Sequence, residues 1–358
     1  MPTMKAWRLT HPGGALALKE IAVPEPRPGS VLVRIETSAL MSYLKNYVEG
    51  RLPSYNPPHR EFTIGTNGVG VIQSVGRDVW HLKPGQRVVV SSHFTARENV
   101  EEPNQILIGL TAGAGAEAML SDWPDGTLAQ YALLPVEAIT PIDGLDHIDS
   151  TRLIALNRCI IPFGGLLRGR LAAGETLVVT GATGAYGTAA VLLGVAMGAA
   201  RVVAAGRNEA ALHAIGSAGG PRVGTVVLSG DPETDTAALR HATGGGAHIA
   251  FDMVGNARDP NATLAALNSL RRAGRLVLMG SMTTPLPIPY TLMMLNSWEI
   301  LGQFMYPRNA YQRLLNLLRN GLLNLSPFQP RTFPLPELPR AMEVAARAGN
   351  LEYVVIQP

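Results

Sequence analysis

Apolar positions over residues 1 to about 145 come in short runs broken by glycine and proline. Examples are SVLVRIETSAL (30–40), GVGVIQSVG (68–76), QRVVVSS (86–92) and AQYALLP (129–135), with turn signals such as PRPGS and LKPGQ between them. Runs of this length and β-branched content, separated by turn residues, predict a compact and mostly antiparallel β domain. From Phe94 to Thr127 the chain is rich in glycine and alanine and has little periodicity, which predicts an irregular excursion near a site mouth or a mobile loop.

The texture changes near Gly174. ETLVVTG reads as a buried strand and GTAAVLLGVAMGA as a helix. RVVAAG and NEAALHAIGSAG repeat that pair, as do TVVLS and ETDTAALRHAT. AHIAFDMVG, ATLAALNSLRRAG and RLVLMGS continue as strand, helix and strand. This alternation predicts a doubly wound parallel sheet with crossover helices, making the chain α/β. NAYQRLLNLLRNG is a further amphipathic helix, and the tail LEYVVIQP is again β-like and suited to rejoining the first domain.

Composition narrows the function. The 358 residues are 46% hydrophobic and 16% charged, with a formal net charge of +3. That length suggests about two domains, and the charged fraction lies below the usual ~25% of globular chains. Lys and Arg are scattered, so neither a nucleic-acid groove nor a membrane footprint is expected. Cys159 is the one cysteine, which excludes a disulfide framework and a cysteine-rich zinc lobe. With no apolar segment at the N-terminus and no apolar span of ~20 residues, a soluble cytoplasmic protein is expected.

The strongest local signal is LVVTGATGAYGTAAVLLG. A strand runs to Thr180, glycines follow at Gly181, Gly184 and Gly187, and a helix begins. Glycine permits the tight turn and close approach of a pyrophosphate, and the helix N-terminus offers unpaired N–H groups. Thr183 adds a hydroxyl. A plain strand–glycine–helix turn would read the same in isolation, but the setting of successive βα units points to a dinucleotide. The following strand discriminates between nucleotides. Gly206 stands where an acid would bind a ribose 2′-OH, and Arg207 and Asn208 follow. An acid would repel a 2′-phosphate, whereas glycine leaves space and arginine supplies a charge-assisted fork, so NADPH is expected. The competing reading of Arg207 is a solvated residue at a helix start.

In order along the chain, GVGVIQSVGRDVWHLKPGQRVVV, DGTLAQYALLP, GETLVVTGATGAYG, AFDMVG, GRLVLMGS and EILGQFMYP resemble the medium-chain dehydrogenase/reductase superfamily. The resemblance implies a GroES-like catalytic domain over 1–145, completed by 318–358, and a Rossmann dinucleotide-binding domain over 146–317. It adds Ala185, Tyr186, Val254, Gly280, Ser281, Phe304 and Met305 to the cofactor-binding set. A homodimer paired near Glu299 to Phe304 is also implied. Zinc alcohol dehydrogenases of the superfamily hold their metal at positions that here look like Met41, Thr66, Asn67 and Asn157. None of these is a thiolate, imidazole or carboxylate, so no metal is expected. The chain is thus similar to the zinc-independent branch, which includes quinone oxidoreductases and enoyl or alkenal double-bond reductases. Met41, Asn67, Asn157 and Phe304 become candidate substrate contacts for a small molecule; mutual structural pairing is the alternative for the two asparagines.

MSYLK (41–45) resembles a motif of alkenal reductases, with Tyr43 in place of its tyrosine and Lys45 in place of its arginine. Tyr43 is the candidate catalytic group, set against a packing role with a bond to a backbone carbonyl. Lys45 is expected to face solvent. His59, His81, His93 and His147 read as surface or structural residues. Two further functions stay open: metal-free reduction of a ketone or imine, and a nucleotide-binding protein without catalysis.

Overall fold

The computed structural model describes residues 1–358. Strands are β1 (Thr3–Leu9), β2 (Leu16–Ala22), β3 (Ser30–Leu40), β4 (Phe62–Thr63), β5 (Gly68–Val75), β6 (Arg87–Val90), β7 (His93–Thr95), β8 (Gln105–Leu107), β9 (Thr111–Ala112), β10 (Tyr131–Pro135), β11 (Ile139–Pro141), β12 (Thr176–Thr180), β13 (Arg201–Gly206), β14 (Val223–Val227), β15 (Ala247–Asp252), β16 (Leu270–Leu278), β17 (Glu299–Gly302), β18 (Gln329–Pro334) and β19 (Glu352–Gln357). Helices are α1 (Leu44–Val48), α2 (Glu117–Asp122), α3 (Ser150–Leu153), α4 (Leu156–Arg168), α5 (Ala185–Ala196), α6 (Glu209–Gly219), α7 (Pro232–Thr243), α8 (Asn261–Asn268), α9 (Tyr290–Asn296), α10 (Ala310–Arg319) and α11 (Leu338–Ala345). Two compact units result: Met1–Asn157 with Phe328–Ala348 and Glu352–Pro358, and Arg158–Pro327 with Gly349–Leu351.

The first unit is built on β3. Its N-terminal half pairs antiparallel with β10, its C-terminal end pairs antiparallel with β19, and β5 runs along it on the other side. The sheet order is β11-β6-β5-β3-β19-β18. A strand buried on both faces needs a continuous apolar run, which VLVRIETSAL nearly supplies: Arg34 alone is exposed and Glu36 half-buried. The tail rejoins this sheet as its sequence suggests. The expected boundaries at 145/146 and 317/318 fall about ten residues before those of the structure. Thr37 Oγ1 donates to Ser150 O at 3.2 Å, and Tyr353 Oη donates to Thr151 O at 2.5 Å. These bonds keep α3 in the first unit, while buried Leu323 and Leu325 lie in the second.

The segment 94–127 departs from the irregular loop expected. β7, β8 and β9 form a small antiparallel sheet, and Phe94, Ile106, Ile108, Ala112, Ala116 and Leu120 are buried in one cluster with β3, β5 and β6. Its strands are only two or three residues long, too short for alternation to register as a pattern.

In the second unit the six strands are ordered β14-β13-β12-β15-β16-β17, all parallel. α5 is buried almost all round, the burial expected of a helix packed into an α/β core. Two elements differ from expectation. The helix read through Gly274 stops at Asn268, and LRRAG opens β16, where Ala273 takes φ 57° and Gly274 follows. α4 runs through Pro162, which masks it in the sequence because proline within a helix costs ~3 kcal/mol.

Candidate functional site

Chain order reverses at β12. β13 lies on one side of it and β15 on the other, and the C-terminal ends of all three share one edge. Dinucleotides bind at such a switch point in doubly wound sheets. Gly181 leaves β12 at φ 68°, and a Cβ there would lie 2.7 Å from the Met253 and Val254 backbone. Gly184 caps α5 and donates its N–H to Gly181 O at 3.0 Å. Gly187 lets the first turn of α5 pass over that carbonyl: its Cβ would come within 2.1 Å of Gly181 O. Only glycine fits these close approaches, and the first turn of α5, opening at Gly184, is the kind of helix N-terminus that meets an anion. Thr183 lies beneath Gly206, where a Cβ would meet its Cγ2 at 2.9 Å.

Arg207 is exposed beside Gly206. Asn208 is occupied within its own helix. Its Oδ1 accepts from Ala211 N at 3.0 Å and caps α6, which leaves the Nδ2 donors as the part of the side chain that could meet a cofactor. Across the edge, Ser281 N donates to Val254 O at 2.9 Å, and Ser281 Oγ accepts from Asn256 N at 2.7 Å. A Cβ on Gly280 would lie 2.5 Å from Val254 O. These bonds bring Val254, Gly280 and Ser281 together beyond the ends of β15 and β16. Phe304 is exposed, and Met305 adopts φ 52° against Gly164.

Asp252 was not singled out from the sequence. Its carboxylate accepts from Val254 N, Thr180 Oγ1 and Thr263 Oγ1 at 3.0–3.1 Å. Burial holds it above the usual carboxylate range, with those three donors opposing the shift. A native pKa above the unfolded one means that the folded chain binds more protons between the two. This group's contribution to stability is therefore full below the ordinary carboxylate pKa and is lost as pH rises through the native one. Urea unfolding of wild type and Asp252→Asn should show the wild-type advantage shrinking as pH rises above the ordinary carboxylate range. A pH-independent difference would refute the assignment.

In the first unit, Met41, Thr66, Asn67 and Asn157 are all buried. Ala39 N donates to Asn67 O at 2.9 Å, tying the end of β3 to this segment. Asn67 is a structural tie as well as a candidate contact: its Oδ1 accepts from Ser92 N at 3.2 Å and Ser92 Oγ at 2.9 Å. Thr66, 4% exposed, has a buried Oγ1 with no hydrogen-bond partner. An unsatisfied buried hydroxyl costs about 1–3 kcal/mol. The donor set of amides, a hydroxyl and a thioether does not fit zinc. Nowhere do three His, Cys, Asp or Glu side chains gather to hold a metal. Cys159 is fully buried, which pushes its thiol up to about 12.

Tyr43 is half-buried at the N-cap of α1. Its ring packs at a tilt against that of Tyr55, centroids 6.2 Å apart and planes at 50°. Lys45 is less solvated than expected: its ammonium ion-pairs with Glu343 on α11 and approaches Glu49 at 3.9 Å. The 94–123 segment lines, together with Arg27 and Pro28, a separate open pocket of about 630 Å³ at the stacked pair Arg27 and Trp123.

Known proteins agree with this architecture. A family described as "Zinc-binding dehydrogenase" matches residues 185–320, and "Alcohol dehydrogenase GroES-like domain" matches 27–144. The chain belongs to the medium-chain dehydrogenase/reductase superfamily and is an oxidoreductase with a GroES-like domain and a Rossmann-type nicotinamide-dinucleotide fold. An alcohol dehydrogenase of Moraxella sp. (strain TAE123) is 28% identical, the alignment covering 89% of each chain. The L-threonine 3-dehydrogenase of Anaeromyxobacter dehalogenans is 26% identical over 94% of this chain and 93% of its own. Among solved structures, a putative zinc-binding dehydrogenase from Sinorhizobium meliloti bound to NADP aligns with TM-score 0.78, 20% identity and full coverage of both chains. The rspB alcohol dehydrogenase from E. coli CFT073, complexed with NADH, gives 0.81 at 18% identity and 99% coverage of each. These relatives are dehydrogenases acting on alcohols or carrying zinc-type names, not members of the double-bond reductase branch that MSYLK resembles. No helix is long and apolar enough to cross a membrane.

Proposed function

We propose that this oxidoreductase is zinc-independent and uses NADPH to deliver hydride to an electron-poor C=C bond or a quinone. The observation that carries the reading is the donor set at Met41, Thr66, Asn67 and Asn157, which lacks every residue type that a catalytic zinc requires. Without a Lewis acid, the negative charge left on a carbonyl oxygen after hydride addition must be met by hydrogen-bond donors. Tyr43 is the donor proposed here, and the Thr66 hydroxyl, buried without a hydrogen-bond partner, is a second polar group in the same segment as Asn67. NADPH, when bound, supplies the hydride. Gly181, Gly184 and Gly187 with the amides of Ala185 and Tyr186 would hold its pyrophosphate, and Gly206 and Arg207 would take the 2′-phosphate. Met41 and Phe304 would contribute apolar contacts. A second copy of this chain would cover the edge strand β17, beside which Tyr290, Met294 and Leu295 are exposed.

The alcohol and threonine dehydrogenases among the relatives favour a second reading, in which the acceptor is a ketone reduced without metal. NADPH oxidation followed at 340 nm with enones, quinones, ketones and imines separates the two. Turnover of enones or quinones in the presence of a chelator is the expected result. Turnover of ketones alone, or activity that a chelator abolishes and zinc restores, would displace the proposal.

The cofactor assignment has its own test. Arg207→Ala should weaken NADPH by about 1.5–3 kcal/mol and leave NADH unaffected, because only the 2′-phosphate accepts the charged hydrogen bond. Fluorescence titration of both cofactors measures this; equal weakening would remove Arg207 from 2′-phosphate recognition.

A further inference from the structure

One carboxyl group draws together the strand ends at the switch point of the second unit. Asp252 closes β15 and is 5% exposed. Its Oδ1 accepts from Thr180 Oγ1, on the last residue of β12, at 3.0 Å. The same oxygen accepts from Val254 N at 3.1 Å, which turns the chain as it leaves β15. Its Oδ2 accepts from Thr263 Oγ1 on α8 at 3.1 Å. A Cβ on Gly280 would stand 3.1 Å from that Oδ2, so the exit of β16 passes directly over it. Backbone bonds run beside these: Met253 N donates to Thr180 O at 3.1 Å, and Met279 N donates to Asp252 O at 3.1 Å. Gly181, which opens the phosphate turn, packs on the Met253 and Val254 backbone, where a Cβ would lie at 2.7 Å. Gly280 and Ser281 are exposed and Val254 is half-buried. The carboxyl is therefore buried behind the residues that would face a cofactor.

We propose that Asp252 is the positioning residue of the dinucleotide site, fixing the phosphate turn at Gly181 against the edge formed by Val254, Gly280 and Ser281, and that it does so as a neutral carboxyl once an anionic dinucleotide is bound. The inference rests on the switch-point site and holds for either nicotinamide cofactor and any acceptor.

The charge balance around the group requires the neutral form. No charged side chain acts on Asp252. The turn 181–184, α5, α8 and the 279–281 segment contain no Lys, Arg, His, Asp or Glu. Asp235 on α7 is engaged by Ser229 and Gly230, and His248, Arg271, Arg272 and Arg275 lie toward the other ends of β15 and β16. Only the three hydrogen bonds offset the burial that holds the carboxyl above its usual range. A pyrophosphate at the first turn of α5 adds negative charge to the same edge and disfavours ionisation further. Protonation breaks no tie. Oδ1 still accepts from Thr180 and Val254, and a proton on Oδ2 is donated to Thr263 Oγ1. Binding an anionic cofactor then takes up a proton. Affinity is full while Asp252 is protonated in the free protein, falls as pH rises through its native pKa, and levels off above the higher pKa of the complex.

The test uses the full-length protein as wild type, Asp252→Asn and Asp252→Ala. NADH and NADPH are titrated by fluorescence from the ordinary carboxylate range to mildly alkaline pH. NADH is the cleaner probe, because the 2′-phosphate of NADPH titrates within this span on its own. Asparagine is a fixed neutral copy: Oδ1 accepts and Nδ2 donates, as the protonated acid does. Asp252→Asn should match wild type at the acid end and bind NADH roughly 10-fold more tightly than wild type at the alkaline end, one pKa unit of coupling. Asp252→Ala, which cuts all three ties, should weaken both cofactors about 10-fold at the acid end. Calorimetry of NADH binding in buffers of different ionisation enthalpy should show proton uptake by wild type and none by Asp252→Asn. A packing role alone would move neither the pH profile nor the proton count. A wild-type pH dependence that persists in Asp252→Asn, or wild-type affinity in Asp252→Ala, would overturn the proposal. Should Asp252→Ala fail to fold, the comparison of wild type with Asp252→Asn decides alone. If wild type binds neither cofactor, the switch-point site fails and the proposal with it.

Discussion

Tyr43→Phe is expected to lower kcat about 10- to 1000-fold while the affinity for NADPH stays the same. The magnitude follows from the charge the hydroxyl would meet. An enolate oxygen in a partly dry site gains far more from one aligned donor than it would in water, and single oxyanion donors are typically worth ~10²–10³ in kcat. The specificity of the effect follows from placement. Tyr43 belongs to the first unit, whereas every residue proposed to hold the cofactor belongs to the second. A loss confined to kcat would mark an interaction made in the transition state. The packing alternative is also concrete: the Tyr43 ring rests on Tyr55, and phenylalanine retains that contact. Stopped-flow and steady-state rates on the best acceptor decide between them. An unchanged kcat/KM would make Tyr43 a packing residue and leave the oxygen to Thr66, backbone N–H groups or water.

Local chemistry made part of this architecture readable in advance. The dinucleotide turn was legible because Gly181 and Gly187 are required by backbone approaches that no side chain survives. The alternation of β12 to β16 with their helices was legible because buried parallel strands and crossover helices differ in length and composition. What stayed hidden depends on contacts distant in sequence. Nothing near Asn67 announces that its carboxamide is engaged by Ser92. Asn208 stands before Glu-Ala-Ala, the composition of a helix start, and its side-chain oxygen caps α6, a role its place in the cofactor-binding set did not announce. The 94–127 segment looked irregular because its strands are short, although its apolar side chains complete the core of β3, β5 and β6. Tyr55 carries no local signal at all. Its packing role arises only when α1 and the 51–61 segment bring three tyrosines together.

Gly187→Ala is the substitution expected to damage the nucleotide site most. An added Cβ would stand 2.1 Å from Gly181 O, 2.7 Å from Gly181 C and 2.8 Å from Ala182 Cα. All three are backbone atoms, so no side-chain rotation relieves the clash. Ala182 is itself tied down: its N–H donates to Ala205 O at 3.1 Å, and its carbonyl accepts from Thr188 Oγ1 at 2.9 Å. The turn must therefore open, moving the first-turn amides of α5 away from a pyrophosphate. Overpacking of this kind costs about 1–3 kcal/mol, and the same displacement should weaken NADPH and NADH alike, by roughly 10- to 100-fold. Gly184→Ala separates the two effects. Its Cβ would meet only Gly181 O, at 3.3 Å, on an exposed residue. That variant should keep a thermal midpoint near that of wild type and lose cofactor affinity through the closer approach of its methyl to the ligand. Thermal unfolding without cofactor, paired with fluorescence titration, reads both quantities. If Gly187→Ala binds NADPH as wild type does, the α5 N-terminus is not the pyrophosphate site.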